Sequence, residues 1–178
     1  MNAKIIKEIK NYGCDIREGT PSLLKFSPFV RSACEQNTCG CWGTNWRCPP
    51  GCGTVEELKK TLQSYDKMLI LSKVVHLQDS FDVEGMEEGR IQLVQFLRTL
   101  NHRYQLTINH CMILGIGACE LCHPCPYPYE ECCHPHDSFI SLESAGVDVV
   151  ALSKTVGLTY YSGVNTVTYF AAIFYDED

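Results

Sequence analysis

The spacing Cys119-x2-Cys122-x2-Cys125-x6-Cys132 places four thiols within fourteen residues, in the run GACELCHPCPYPYEECCHPH. Three thiolates at two-residue gaps wrap readily round one iron–sulfur cube, and the more distant fourth closes it. In so tight a loop the backbone N–H groups point at the sulfurs and tune whatever they hold. Pro124 and Pro126 flank Cys125 and stiffen the loop, and Gly117 permits the sharp turn into it. Zinc is the alternative occupant, bound by Cys119, Cys122, Cys132 and either Cys125 or His134. Zinc knots more often use two separated Cys-x2-Cys pairs, so this spacing points to a 4Fe-4S cluster first.

A second group lies upstream, as Cys34-x4-Cys39-x-Cys41-x6-Cys48-x3-Cys52. Cys34, Cys39 and Cys48 form its framework, with Cys41 and Cys52 as spare donors. Cys48-Pro49-Pro50-Gly51 forces an extended exit followed by a turn. Both tryptophans, Trp42 and Trp46, fall inside this loop, where packing is the expected role and shielding a cluster from solvent and oxygen the alternative. A helix starting at Thr54 would offer its positive end to nearby thiolates. Elsewhere, Cys111 reads as a core thiol and Cys14 has no sequence neighbour to pair with. His123, His134 and His136 read as surface or supporting groups, with a ligand or proton-donor role as the alternative. Glu143 is expected to open onto the region of His134, either as an orienting group for it or as an ordinary helix-surface glutamate.

These loops need a scaffold, and the rest of the chain supplies one. Ile5, Ile6, Ile9 and Tyr12 share a face of an amphipathic N-terminal helix, which lacks the unbroken apolar stretch of a signal peptide. Thr54-x-x-Glu57 is a capping box, followed by Leu58, Leu62 and Tyr65 at helical steps. Met68 to Val75 is a buried strand, and Leu93, Leu97, Leu100 and Tyr104 mark a long helix from Glu84 to Tyr104. Thr107 to Ile116 is expected as a strand, Ser138 to Gly146 as a short helix, Val147 to Leu152 as a third strand and Thr166 to Tyr175 as a fourth. Asp176, Glu177 and Asp178 make a solvated tail. The expected fold is α/β: a single domain over residues 1–178, a mixed sheet flanked by helices, with both cysteine loops at one edge.

Composition narrows the partners. The 178 residues carry a net charge of −6, which disfavours nucleic acid, and no stretch approaches the length of a membrane span. A cytoplasmic location follows as the expectation. There, twelve cysteines are poorly explained by disulfides.

The stretches VRSACEQNTCGCWGTNWRCPP, GACELCHPC and CCHPHDSFISLESAGVDVVALSK resemble a prokaryotic cysteine-rich family of unknown function, labelled predicted metal-binding proteins. The resemblance runs from about Val30 to the C-terminal strand. It implies shared cysteines at Cys34, Cys39 and Cys48 and at Cys119, Cys122, Cys125 and Cys132. Trp46, Pro49, Pro50, His134-Pro135 and SLESAGVDV match as well. Cys41, Cys52 and Cys133 depart from the family pattern. The resemblance implies metal binding but no reaction.

The leading expectation is a soluble protein binding one or two 4Fe-4S clusters, passing electrons to a redox partner protein. A three-cysteine first site would instead leave one iron open for Lewis-acid or sulfur-transfer chemistry in an enzyme. A zinc-stapled structural domain is the third reading. The first two differ in whether Cys41 or Cys52 fills the fourth position.

Overall fold

The structure is a computed structural model that describes residues 1–177; the expected tail position Asp178 lies outside the described residues. A five-stranded mixed sheet in the order β1-β2-β5-β3-β4 forms its middle layer. The strands are β1 (Asp15–Gly19), β2 (Lys67–His76), β3 (Met112–Gly115), β4 (Ile140–Ser141) and β5 (Thr166–Tyr175). All neighbours are antiparallel except β3 and β4, which run parallel. The helices are α1 (Ala3–Asn11), α2 (Pro28–Glu35), α3 (Val55–Gln63), α4 (Val83–Tyr104) and α5 (Val149–Val156).

The apolar run Met68-Leu69-Ile70-Leu71 is continuous because both faces of β2 are covered. Met68 and Ile70 pack with Leu62 of α3, Leu152 of α5 and Phe174. Leu69 and Leu71 point the other way, onto Ile9 of α1 and Leu93 and Leu97 of α4. Gly89 lets α4 lie close to the sheet, since a Cβ there would stand 2.8 Å from a Val75 methyl. The Thr54–Glu57 capping box forms as expected, with both reciprocal bonds present.

Three expected elements are corrected. The strand at 107–116 shrinks to Met112–Gly115, because Gln105 ends α4 in the left-handed region (φ 51°) and Asn101 Oδ1 accepts the Thr107 N–H at 2.9 Å. That side-chain bond holds the following residues in turns instead of a ladder. The helix expected at 138–146 is the short strand β4 followed by a turn, in which Ser141 Oγ accepts the Ser144 N–H at 3.0 Å. The strand expected at 147–152 is the helix α5. Asp148 caps it, accepting from Ala151 N at 2.9 Å, and Gly157 (φ 69°) closes it. Capping chemistry at both ends overrides the strand preference of Val149 and Val150. Two elements without a sequence-based expectation complete the fold: the mostly exposed edge strand β1, and α2, none of whose residues is buried. No helix among the described residues is long and apolar enough to cross a membrane.

Candidate metal centre

The first cysteine loop leaves the end of α2, which carries Cys34, and returns to the sheet through α3. Arg31 of α2 clamps this arrangement, donating from Nη1 to the Ser144 carbonyl and from Nη2 to Gly53 O at 2.6 Å. Inside the loop, Asn45 is buried and its Oδ1 accepts the N–H groups of both Arg47 and Cys48 at 2.9 Å. Gly43 N donates to Pro49 O at 2.8 Å and closes the turn. Cys48 is thereby fixed and 6% exposed.

Cys34, Cys39, Cys41 and Cys48 line one hollow of about 610 Å³. Its other walls are Trp42 and Pro49 from the same loop, Glu87 and Arg90 of α4, Ile116 to Ala118 and Glu120 beyond β3, Ser141, Glu143 and Ser144 at the end of β4, and Thr168 and Tyr169 of β5. The thiols therefore gather past the C-terminal ends of β3 and β4. Burial pushes the Cys48 thiol up to about 11, against the Asn45 hydrogen bond that favours its thiolate. Burial also raises Cys34, against the pull of Arg31. Cys52 does not line the hollow. It packs on the core around Leu58 and Leu142, with Arg31 Nη1 3.5 Å from its sulfur.

The second loop brings Cys119, Cys122, Cys125, Cys132 and Cys133 round one tight pocket with about 10 Å³ of free volume. The first loop supplies part of the wall, through Asn45, Trp46 and Arg47, and Leu121, Pro126, His134 and Ser138 complete it. Trp46 stacks edge-on against Tyr127 (centroids 4.8 Å apart) and donates Nε1–H to Glu130 O at 2.9 Å. Gly51 permits this docking: a Cβ there would fall 2.5 Å from Asn45 O and 2.8 Å from the Tyr127 ring. Arg47 donates from Nε to Ser138 Oγ at 2.7 Å and from Nη2 to Pro135 O at 3.0 Å. Ser138 Oγ in turn stands 3.4 Å from Cys132 Sγ.

Electrostatics separates these thiols. Burial works to raise Cys132, but hydrogen bonds from Ser138 and the His134 N–H, with the Arg47 charge, bring it below the ordinary thiol value. Cys119 is raised by burial, although the Leu121 N–H points at its sulfur. Cys122 is raised by burial and by sharing a hydrogen bond with Cys133. The N–H-to-sulfur bonds at Cys119 and Cys132 both come from the residue two positions on, the pattern that readies a thiolate for a metal.

All seven expected cysteines thus line one of the two hollows, with Cys41 joining the first set and Cys133 the second. No group of three or more His, Cys, Asp or Glu side chains among the described residues is already drawn together to hold a single ion. Both donor sets are nonetheless thiol-rich, which is the chemistry that zinc and iron–sulfur clusters take.

The structure relocates Glu143. It lines the first hollow, whereas His134 lines the second. Glu143 faces open space across that hollow yet is ringed by protein atoms, and this desolvation pushes its carboxyl above the ordinary range. Sequence reasoning missed Arg47 and Ser138, which lie 91 positions apart and meet only in the fold. Cys14 is a buried core thiol, and Cys111 is half-buried against the α1–α4 side of the sheet.

A family model described as "Predicted metal-binding protein (DUF2284)" matches residues 20–175. Searches of curated proteins and of solved structures find no match.

Proposed function

The chain belongs to the DUF2284 family of predicted metal-binding proteins, and from that premise we propose that its two thiol-lined hollows hold 4Fe-4S clusters serving electron transfer. Cys34, Cys39, Cys41 and Cys48 would ligate the first, and Cys119, Cys122, Cys125 and Cys132 the second. When bound, such a cluster takes up and releases one electron at a time. The observation that carries this reading is the peptide Asn45–Cys48. It supplies a ligand to the first set through Cys48 and a wall of the second pocket through Asn45, Trp46 and Arg47.

Each residue of that peptide has a task. Asn45 fixes the Cys48 N–H, and Trp46 covers the second loop through Tyr127 and Glu130. Arg47 places a positive charge beside the sulfurs, which favours the extra negative charge that an added electron brings. Two adjacent sites sharing one strap suit passage of an electron between them. Glu130 and Glu131 are exposed next to the second loop, and the net charge is −6, which suits a basic redox partner protein.

One observation favours a second reading, zinc in the C-terminal pocket: its free volume of about 10 Å³ suits a compact ion better than a cube. Visible and EPR spectra of anaerobically purified protein, before and after dithionite, separate the two. A reducible signal supports electron transfer, and a colourless, EPR-silent protein overturns it.

A further inference from the structure

The first hollow is larger than its thiols require. Its volume of about 610 Å³ lies within the range of small-molecule pockets, and the four cysteines are only part of its lining. The far walls belong to α4, β5 and the segment after β4, and nothing in metal coordination calls for them.

Those walls have a definite character. Trp42 and Tyr169 present aromatic surface, and Ile116, Ala118 and Pro49 add apolar surface. The Tyr169 ring is anchored, because its hydroxyl donates to Met86 O at 2.6 Å. Among the described residues Arg90 is the one cation on the wall, and it is already committed: Nε donates to Glu87 Oε2 and Nη2 to Glu120 Oε1, both at 2.8 Å. Its side chain is only 13% exposed. Glu143, by contrast, has no ion-pair partner among the described residues. Arg90, Glu87, Glu120 and Glu143 together leave an excess of acid, and metal-bound thiolates in the lining add to it.

We propose that this hollow is a binding pocket for a small organic cation, an alkylamine or quaternary ammonium compound. The aromatic walls of Trp42 and Tyr169 take its body and the Glu143 carboxylate takes its charge. The pocket rests on the metal reading only for part of its negative charge. An anion of the same size meets an acidic wall with its one arginine already neutralised.

The test is calorimetric titration of the full chain, as purified anaerobically, with n-butylammonium, tetramethylammonium and butyrate at pH 7.5. The expected result is one saturable site per chain for the cations and none for butyrate. Glu143→Gln keeps the shape and should weaken n-butylammonium binding at least tenfold. Trp42→Leu should weaken tetramethylammonium more than n-butylammonium, and it serves as the readout should Glu143→Gln fail to fold. Butyrate binding as tightly as the amine, no cation binding, or unchanged affinity in both variants overturns the pocket. Metal analysis of the same samples reads the other claim separately. Saturable amine binding without metal keeps the pocket and removes the metal assignment, and metal without amine binding does the reverse.

Discussion

Arg47 donates its Nε–H to Ser138 Oγ at 2.7 Å, so the residue beside Cys48 holds the serine that stands 3.4 Å from Cys132 Sγ. One side chain of the first cysteine loop thereby sets the environment of a sulfur in the second. Arg47→Met removes both the charge and the donor while keeping most of the side chain's length. We expect metal affinity at the second site to fall about 10- to 100-fold, the usual cost of losing such a supporting bond, with the first site unchanged. Chelator competition on the two sites measures this, and equal losses at both would contradict it.

The same environment makes Cys132 more acidic than Cys119 and Cys122. Its thiol lies below the ordinary value, whereas burial raises Cys119 and Cys122. In metal-free reduced protein at pH 7.5, iodoacetamide should label Cys132 before either of them, because the thiolate is the nucleophile. Peptide mapping by mass spectrometry reads the order. Ser138→Ala should narrow the preference without abolishing it, since the His134 N–H and the Arg47 charge remain.

Cys41 and Cys52 differ in placement, although Cys52 stands near enough to Cys34 and Cys48 to help raise both thiols. Cys41 lines the first hollow and Cys52 packs behind it on the core. Cys41→Ala should lower the metal held by the first set. Cys52→Ala should leave the metal content intact while reducing stability by about 1 kcal/mol through lost packing. Metal content unchanged in both variants would mean a three-cysteine first site, and the open-iron enzyme reading would then gain.

Cys14 makes a pH prediction. It is 5% exposed, and burial pushes its thiol from an ordinary 9.0 up to about 11, against the pull of Lys73. The unfolded chain therefore loses this proton at lower pH than the folded one does. The stabilisation is fully present below about pH 9 and is lost as pH rises to about 11, by about 2 kcal/mol at most. Urea midpoints of the metal-free protein should fall across that window. The fall should be shallower in Cys14→Ala.

The legible parts of this fold are those where one periodicity dominates. Leu93, Leu97 and Leu100 mark α4 from sequence alone, and the run Met68 to Leu71 marks a strand covered on both faces. The segment 138–156 misleads because its decisive groups are polar and local. Ser141 turns the chain after β4, and Asp148 and Gly157 bracket α5. The exposed strand β1 and the helix α2 bury too little to leave a pattern. Within the site, spacing along each loop identifies the thiols that come together. It says nothing of Arg47 meeting Ser138, or of Glu143 facing Cys34 and not His134, because those meetings depend on how the loops dock.

The most direct test of the metal account is iron, zinc and acid-labile sulfide per chain in anaerobically purified protein, beside Cys122→Ser and Cys14→Ser. The account predicts about eight irons and eight sulfides, as two cubes require, falling to about half in Cys122→Ser and unchanged in Cys14→Ser. Zinc without sulfide, or equal iron in all three proteins, would contradict it.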